Sequence, residues 1–237
     1  MKIVGLYGDK MKNVKVAFDL NANCIGMLQG MDIVSKYMKL SNIKNALVLG
    51  CFCVSPATLW TDTVVYATFA DAAACVALTS EESDMQRGLL DTYTFVDASY
   101  HQYVTYPKCG MSKVPLKIVE PNEKRLEWIS FPMDFLSQKW ADSIMEVVTR
   151  NNLVIDDIDY FVFSQLSDVY NTETLKILGV PLEKKYHFVG KEYGYTGNTC
   201  PILCLHRMWE VYSQKGTKII LCTVGAGYSI IVHLYEF

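Results

Sequence analysis

The sequence has no excess of positive charge. Its 237 residues include 22 Lys and Arg against 25 Asp and Glu, which gives a formal net charge of −3 at pH 7. Proteins that bind nucleic acids present a basic surface to the phosphates, and this composition does not supply one. We therefore expect a globular protein with no nucleic-acid partner, whose 51% hydrophobic residues form one large or two modest cores.

The eight cysteines lack the paired spacing of a zinc site. Cys51 and Cys53 are too close together, and the buried face of a helix explains Cys200, Cys204 and His206 without a metal. We therefore expect no metal ion. Eight cysteines without a secretion signal are typical of a reducing compartment rather than a disulfide scaffold, so we expect the protein in the cytoplasm.

The sequence also lacks an uninterrupted membrane-spanning segment. The long apolar run from Ile219 to Tyr235 is broken by Gly225-Ala-Gly227 and is rich in β-branched residues. Two buried strands joined by a glycine turn explain this pattern better than one spanning helix does. We therefore expect no association with a membrane.

Cys24 is the strongest candidate for a chemical role. The spacing of apolar side chains predicts a helix over residues 27–39, just after this cysteine. Asn21 or Asn23 is expected to cap the helix, which places Cys24 in its first turn. Unpaired amides and the helix dipole favour a thiolate at such a position, as a nucleophile requires. The alternative is that Cys24 is a small buried hydrophobic residue, as most free cysteines are.

A helix–strand–strand pattern occurs twice in the chain. The first unit comprises residues 21–54 and the strand Cys75–Leu78. The second comprises residues 198–224 and the strand Tyr228–Tyr235. Each unit begins with a polar segment that contains a cysteine and continues into an amphipathic helix. Such a repeat predicts a duplicated α/β fold.

The two expected halves, residues 1–125 and 126–237, differ in what precedes the repeated unit. Only 23 residues precede Cys24, so we expect the first half to lack its opening strands and helices. A second chain or an upstream segment could supply them. The stretch from Gly88 to Trp128 is expected to be a loop that links the halves. Four elements are expected before the second unit: a helix Met133–Arg150, a strand Asp159–Ser164, a helix Asn171–Leu178 and a short strand near His187.

Five motifs occur in the order and approximate spacing of a known family, from about residue 14 to Phe237. They are Phe18-Asp-Leu-Asn-Ala-Asn-Cys24-Ile-Gly26, Ala46-Leu-Val-Leu-Gly50, Phe69-Ala-Asp-Ala-Ala73, Tyr193-Gly-Tyr-Thr-Gly-Asn198-Thr199 and Gly225-Ala-Gly-Tyr228. On these motifs the chain resembles β-ketoacyl-acyl carrier protein synthase III, of the thiolase superfamily. The resemblance implies a duplicated thiolase-like fold with α-β-α-β-α layers, whose first half is truncated at its N-terminus.

The same resemblance implies thioester chemistry, with a coenzyme A thioester as substrate and no cofactor. Cys24 matches the cysteine that takes an acyl group from coenzyme A, and Asn198 matches the asparagine that donates to the enolate. The amides of Cys24 and Gly227 would bind the thioester oxygen as an oxyanion hole. Three aromatic residues are candidates for the acyl channel, with plain core packing as the alternative: Phe69, Phe95 and Tyr228.

The chain departs from the family at the catalytic histidine, where Ser164 stands in Ser164-Gln-Leu-Ser167. A hydroxyl donates hydrogen bonds, but it carries no positive charge and is no base near neutral pH. The loss of such a donor costs about 3 kcal/mol, roughly a hundredfold in rate. In addition, Val169 stands near the position of a basic residue that helps dock the carrier protein. These departures argue against efficient decarboxylative condensation.

Three interpretations remain open. The preferred one is an acyltransferase of this family that loads an acyl group on Cys24 and transfers or condenses it with an acceptor on an acyl carrier protein. It would act in fatty acid or related lipid or polyketide biosynthesis, as a homodimer. The second is a catalytically impaired subunit that pairs with a ketosynthase-like chain. The third is a remnant that does not fold stably.

Overall fold

The structure is a computed structural model that describes residues 7–84, 86–115, 119–129 and 133–237. Residues 1–6 of the expected first half and 116–118 of the expected linking loop lie outside this part. The α-helices are Gly26–Leu40 (α1), Thr63–Thr68 (α2), Leu136–Arg150 (α3), Asp168–Ile177 (α4), Leu182–Lys185 (α5), Gly190–Tyr193 (α6), Cys200–Arg207 (α7) and Trp209–Tyr212 (α8). The strands are Asn45–Phe52 (β1), Ala72–Thr79 (β2), Gly88–Val96 (β3), Val104–Thr105 (β4), Glu127–Trp128 (β5), Tyr160–Phe163 (β6), Lys218–Gly225 (β7) and Ser229–Glu236 (β8).

The described strands form three sheets. The largest has the order β3-β8-β7-β6, in which β6 and β7 are parallel and the other neighbours are antiparallel. Strands β1 and β2 form an antiparallel pair, and β4 and β5 form a short one. The two predicted helix–strand–strand units are confirmed, because α1 leads to β1 and β2 just as α7 and α8 lead to β7 and β8.

Two hydrophobic cores cover the faces of the four-stranded sheet. The first, which we name the α3-side core, includes Trp140 and Ile144 of α3, whose helical spacing places them on one face. The second, the Cys24-side core, includes Met27 and Leu28 of α1 and Leu221 of β7. Helices α1 and α7 lie between the four-stranded sheet and the β1–β2 pair, which packs against the Cys24-side core from the other side of these helices. The described residues therefore form the layers α-β-α-β.

Strand β3 corrects the expectation of a loop from Gly88 to Trp128. Residues 88–96 pair with β8 and form one edge of the four-stranded sheet. This segment of the expected first half therefore belongs to the same sheet as β6, β7 and β8. Asp91 is held there by the Arg150 guanidinium and the Asn151 amide at the end of α3. The division of the chain at residues 125 and 126 stays a prediction.

Two smaller expectations are also corrected. The single amphipathic helix expected in the second unit is interrupted at Met208, which separates α7 from α8. The expected strand near His187 is reduced to one bridge, between Tyr186 and Phe161. By contrast, β7 and β8 confirm that the apolar run from residue 219 to 235 is two strands joined by a glycine turn. Within the described ranges, no helix combines the length and apolar character that crossing a bilayer requires.

One face of the β1–β2 pair is apolar and open to solvent. Alternate residues of both strands point away from α1, and Leu47 and Leu49 are 54% and 49% exposed. Cross-strand pairs bring these residues together, with Leu47 opposite Ala77 and Leu49 opposite Cys75. We name this surface the outer face; its residues are Leu47, Leu49, Cys51, Ala73, Cys75 and Ala77.

Candidate active site

Cys24 lies in a 3₁₀ turn, Asn23–Ile25, that leads directly into α1. The expected side-chain cap is wrong in detail, because no side chain in the described residues caps α1. Instead, the Asn21 side chain accepts a hydrogen bond from the Asn23 amide at 3.2 Å, which stabilises the turn itself. Cys24 therefore precedes the first turn of the helix rather than lying in it.

Asn23 joins the Cys24 turn to the glycine turn between β7 and β8. Its φ of +50° is in the left-handed region, which asparagine tolerates better than most residues. Its side-chain amide donates to the Ala226 carbonyl at 3.3 Å. On the same side, a Cβ added to Gly225 would lie only 3.3 Å from the Ile25 side chain. The two turns therefore approach each other closely around Cys24.

Cys24 is half-buried, and its thiol lies next to two hydrogen-bond donors. Burial raises its pKa, while the Tyr195 hydroxyl and the Ala226 backbone N–H lower it by donating to the sulfur. Burial has the larger effect, so the resting group is a thiol. In the described part of the chain, none of the interactions that set this pKa involves a histidine.

Tyr195 is buried next to Cys24, with only 2% of its surface exposed. Its backbone is fixed by hydrogen bonds in both directions, to the Thr68 carbonyl at 2.8 Å and from the Ala70 amide at 2.9 Å. Its ring packs against Phe52 and Phe69, with centroid distances of 6.1 and 5.2 Å. Burial raises the pKa of its phenol well above the usual value, so the group keeps its proton.

Asn198 lies beside the start of α1. A Cβ added to Gly26 would lie 3.7 Å from its amide nitrogen, and one added to Gly50 would lie 3.2 Å from its carbonyl oxygen. Glycine at position 50 therefore leaves room for the Asn198 side chain, whereas a Cβ at position 26 would meet it at an ordinary contact distance. Its Oδ1 atom is buried and has no hydrogen-bond partner among the described residues.

Ser164 directly follows β6 and interacts with the Tyr195 side chain. Only 1% of the residue is exposed, and its hydroxyl makes no hydrogen bond of standard geometry within the described residues. It is nevertheless close enough to stabilise negative charge on Tyr195 or Cys200. The Cys200 sulfur accepts a hydrogen bond from the Gln165 amide at 3.4 Å. Ser164, Tyr195 and the two thiols thus form one uncharged polar cluster.

The three expected channel residues lie in different places. Phe69 packs against the ring of Tyr195 and so reaches the Cys24 site only through that ring. Tyr228 belongs to the α3-side core, and Phe95 packs against it with a centroid distance of 6.0 Å. The structure does not bring Phe95 and Tyr228 together with Cys24, because this core covers the other face of the sheet.

Gly227 lies in the turn that contacts Cys24, with a φ of +125° that favours glycine. Its neighbour Ala226, which the sequence did not single out, carries the N–H that donates to the Cys24 sulfur. Tyr195 was missed as well, although it lies within the motif that contains Asn198. Over the described ranges, no three His, Cys, Asp or Glu side chains come together in a way that could hold a metal ion.

Comparison with known proteins agrees with this geometry. The sequence profile of 3-oxoacyl-[acyl-carrier-protein (ACP)] synthase III matches residues 18–98, and the profile of its C-terminal part matches residues 148–237. The β-ketoacyl-[acyl-carrier-protein] synthase III of Clostridium novyi (strain NT) is 29% identical over 224 residues, which are 93% of this chain and 67% of that protein. The enzyme of the same name from Limosilactobacillus reuteri (strain DSM 20016) is 30% identical over 219 residues, 90% of this chain and 66% of the relative.

Solved structures give the same result for the fold. The crystal structure of 3-oxoacyl-[acyl-carrier-protein] synthase III from Aquifex aeolicus VF5 superposes with a TM-score of 0.81 at 21% identity, covering 96% of this chain and 69% of that one. The thiolase-like fold expected from the motifs is therefore confirmed. The chain spans about two thirds of the length of the relatives that it matches.

Proposed function

Because this chain belongs to the 3-oxoacyl-[acyl-carrier-protein] synthase III family, we propose that Cys24 takes an acyl group from a coenzyme A thioester and passes it to an acceptor on an acyl carrier protein. The second step is transfer to a thiol or condensation with a carbon nucleophile, in fatty acid or related lipid or polyketide biosynthesis. The observation that carries this proposal is the half-buried Cys24 thiol, which interacts with the Tyr195 hydroxyl and the Ala226 N–H beside the start of α1. No cofactor takes part, and we expect a cytoplasmic homodimer.

In the loading step, the Cys24 sulfur attacks the thioester carbonyl. A bond forms between this sulfur and the acyl carbon, the bond to the coenzyme A sulfur breaks, and the thiol proton ends on coenzyme A. A covalent intermediate of this kind divides one difficult transfer into two easier ones. The start of α1 supports the step, because its amides favour negative charge on the attacking group.

The negative oxygen of the tetrahedral intermediate needs two donors. We assign this role to the backbone amides of Cys24 and Gly227. The assignment is supported by the hydrogen bond from Asn23 to Ala226, which holds the two turns together. Donors fixed in this way stabilise charge without having to reorganise during the reaction.

The second step relies on Asn198 and Ser164. We assign Asn198 to the acceptor thioester, since its side chain is packed beside α1. Ser164 stands at the histidine position but offers only a hydroxyl. A neutral donor stabilises an enolate less than an imidazole does, so decarboxylative condensation is expected to be about a hundredfold slower than it would be with a histidine at this position.

The discharge of the acyl-enzyme tests this proposal. The chain is loaded with acyl-coenzyme A, freed of excess donor, and mixed with a carrier protein that bears either a free phosphopantetheine thiol or a malonyl group. We expect the mass of the thiol carrier to rise by one acyl group, and β-ketoacyl carrier to form far more slowly. A loaded chain that transfers nothing to either carrier would contradict the proposal, and Cys24→Ala serves as the control.

A second candidate function is favoured by the outer face. A two-stranded sheet with apolar residues on both sides is stable in water only when both sides are covered. The candidate is that the chain acts as a catalytically impaired subunit, whose outer face is covered by a ketosynthase-like partner. A purified chain that is folded and monomeric without a partner would contradict it.

A further inference from the structure

The fold brings the Tyr195 hydroxyl next to Cys24. The sequence alone did not identify this group as a candidate site residue. We propose that Tyr195 is a catalytic residue, whose phenol donates a hydrogen bond to the Cys24 sulfur and stabilises the negative charge that develops there. Ser164, at the histidine position, interacts with Tyr195 and Cys200 rather than with Cys24, so the stabilising role falls to Tyr195. The effect on acyl loading rests on the proposed function, whereas the effect on the sulfur does not.

The first argument is the fixed position of the phenol. Backbone hydrogen bonds to Thr68 and from Ala70 hold Tyr195 on both sides. The ring is further enclosed by Phe52 and Phe69. A donor that is immobilised in this way loses little conformational entropy when charge develops, so the hydrogen bond strengthens without rearrangement.

The second argument is the polarity of the cluster. Cys24 and Tyr195 interact with each other, and the further titratable group that interacts with them among the described residues is the Cys200 thiol. Burial raises the pKa of each of the three, so all of them are protonated and uncharged in the resting protein. Of the two neutral donors that interact with the Cys24 sulfur among the described residues, the phenol O–H is more acidic than the Ala226 N–H and is therefore the stronger donor.

The third argument is the hydroxyl of Ser164 behind the phenol. It is buried without a standard hydrogen bond in the part of the chain that the structure describes. Because it lies near the Tyr195 oxygen, it can donate to that oxygen when the phenol gives its own hydrogen to the sulfur. Hydrogen bonds in such a chain polarise one another. During loading Tyr195 keeps its proton, and the Cys24 proton leaves with coenzyme A.

The test is the pH profile of alkylation of Cys24 by iodoacetamide in the full chain, followed on the Cys24 peptide by mass spectrometry. Tyr195→Phe keeps the ring and removes only the hydroxyl. We expect its profile to move to higher pH by about one unit, with alkylation about tenfold slower at neutral pH. Loading by acyl-coenzyme A is expected to slow by at least the same factor.

Two further variants make the result specific. Tyr212→Phe removes the hydroxyl of another buried tyrosine, which packs in the Cys24-side core against Tyr160, and should leave the profile unchanged. Ser164→Ala should move the profile in the same direction as Tyr195→Phe, by a smaller amount. It provides the test if Tyr195→Phe does not fold.

Three outcomes are decisive. An unchanged alkylation profile in Tyr195→Phe would overturn the inference, even if acyl loading were slower. A similar shift in Tyr212→Phe would also overturn it, since the effect would then be structural. A shift in Tyr195→Phe with no acyl loading in the wild type would support the inference and reject the proposed function.

Discussion

Cys24 is half-buried and His233 is fully buried, and the two titratable side chains have different surroundings. Cys24 faces the donors Tyr195 and Ala226, which lower the cost of negative charge on its sulfur. His233 lies on β8, and neither ring nitrogen has a hydrogen-bond partner of standard geometry among the described residues. Burial lowers the pKa of His233 to about 4, with Lys36 acting in the same direction and Asp32 opposing. The surroundings of Cys24 suit the nucleophile that we propose, and those of His233 make the stability of the protein depend on pH.

His233 predicts a loss of stability in mild acid. The folded pKa of about 4 lies below the usual value of 6.5, so between these pH values only the unfolded chain takes up the proton. The free energy of unfolding should therefore fall by about 3 kcal/mol between pH 6.5 and 4, on this account alone. His233→Met, measured by urea unfolding across this range, should lose that part of the pH dependence. The exposed His206→Gln should keep it, and equal slopes in wild type and His233→Met would contradict the prediction.

The sequence predicted some site residues and missed others, for a physical reason. Cys24 could be found because it lies between a polar segment and a predicted helix, which is a local pattern, and Asn198 because it lies in a motif that resembles the family. Tyr195 could not, because its approach to Cys24 depends on the bridge to Phe69 and on packing against Phe52. Such contacts join segments more than a hundred residues apart, and no local periodicity encodes them.

Among the elements, α1 and β1 approach each other most closely at Gly50. A Cβ at this position would overlap the Met27 side chain and press on Asn198. This contact sets the distance between the helix that follows Cys24 and the neighbouring strand. The position of the Cys24 turn thus depends on a glycine in the middle of a strand, where glycine is otherwise unfavourable.

Gly50→Ala is therefore expected to lower the free energy of unfolding by about 1–3 kcal/mol, since the added methyl overpacks the interface. Gly26→Ala is the matched control. Its Cβ would meet Asn198 at ordinary contact distances, and alanine suits a helix better, so it should be neutral or stabilising by about 0.5–1 kcal/mol. Urea unfolding of both variants tests this. Equal stability of the two would show that α1 and β1 do not pack as described.

The bounds of α1, β7 and β8 were predicted to within three residues, because their apolar patterns are strong. Strand β3 was missed. It carries Asp91 and Thr92 in its centre, and polar residues there resemble a loop. Its place in the sheet depends on pairing with β8 and on the ion pair between Asp91 and Arg150, both of which are distant in sequence.

At the scale of the whole molecule, the described residues form four of the five layers that the resemblance implies. The fifth would cover the outer face of β1 and β2, where Leu47 and Leu49 are about half exposed. An apolar surface of this kind favours association with another polypeptide. No local pattern in the sequence indicated which residues form this surface.

We expect the purified chain to associate through the outer face. Leu49→Lys places a charge at its centre and should shift the chain toward monomer in sedimentation velocity experiments over a range of concentrations. Leu40→Lys is the control, because Leu40 is 89% exposed on α1 and lies outside the outer face. If the two variants sediment alike, the outer face is not an association surface.

The most direct test of the account is the mass of the intact protein after incubation with acyl-coenzyme A thioesters of different chain lengths. We predict one added acyl group on the wild type, and none on Cys24→Ala. Cys222→Ala, which removes a buried thiol from the α3-side core, should be loaded like the wild type. A folded wild-type chain that gains no acyl group from any donor, or an acyl group that persists in Cys24→Ala, would contradict the account.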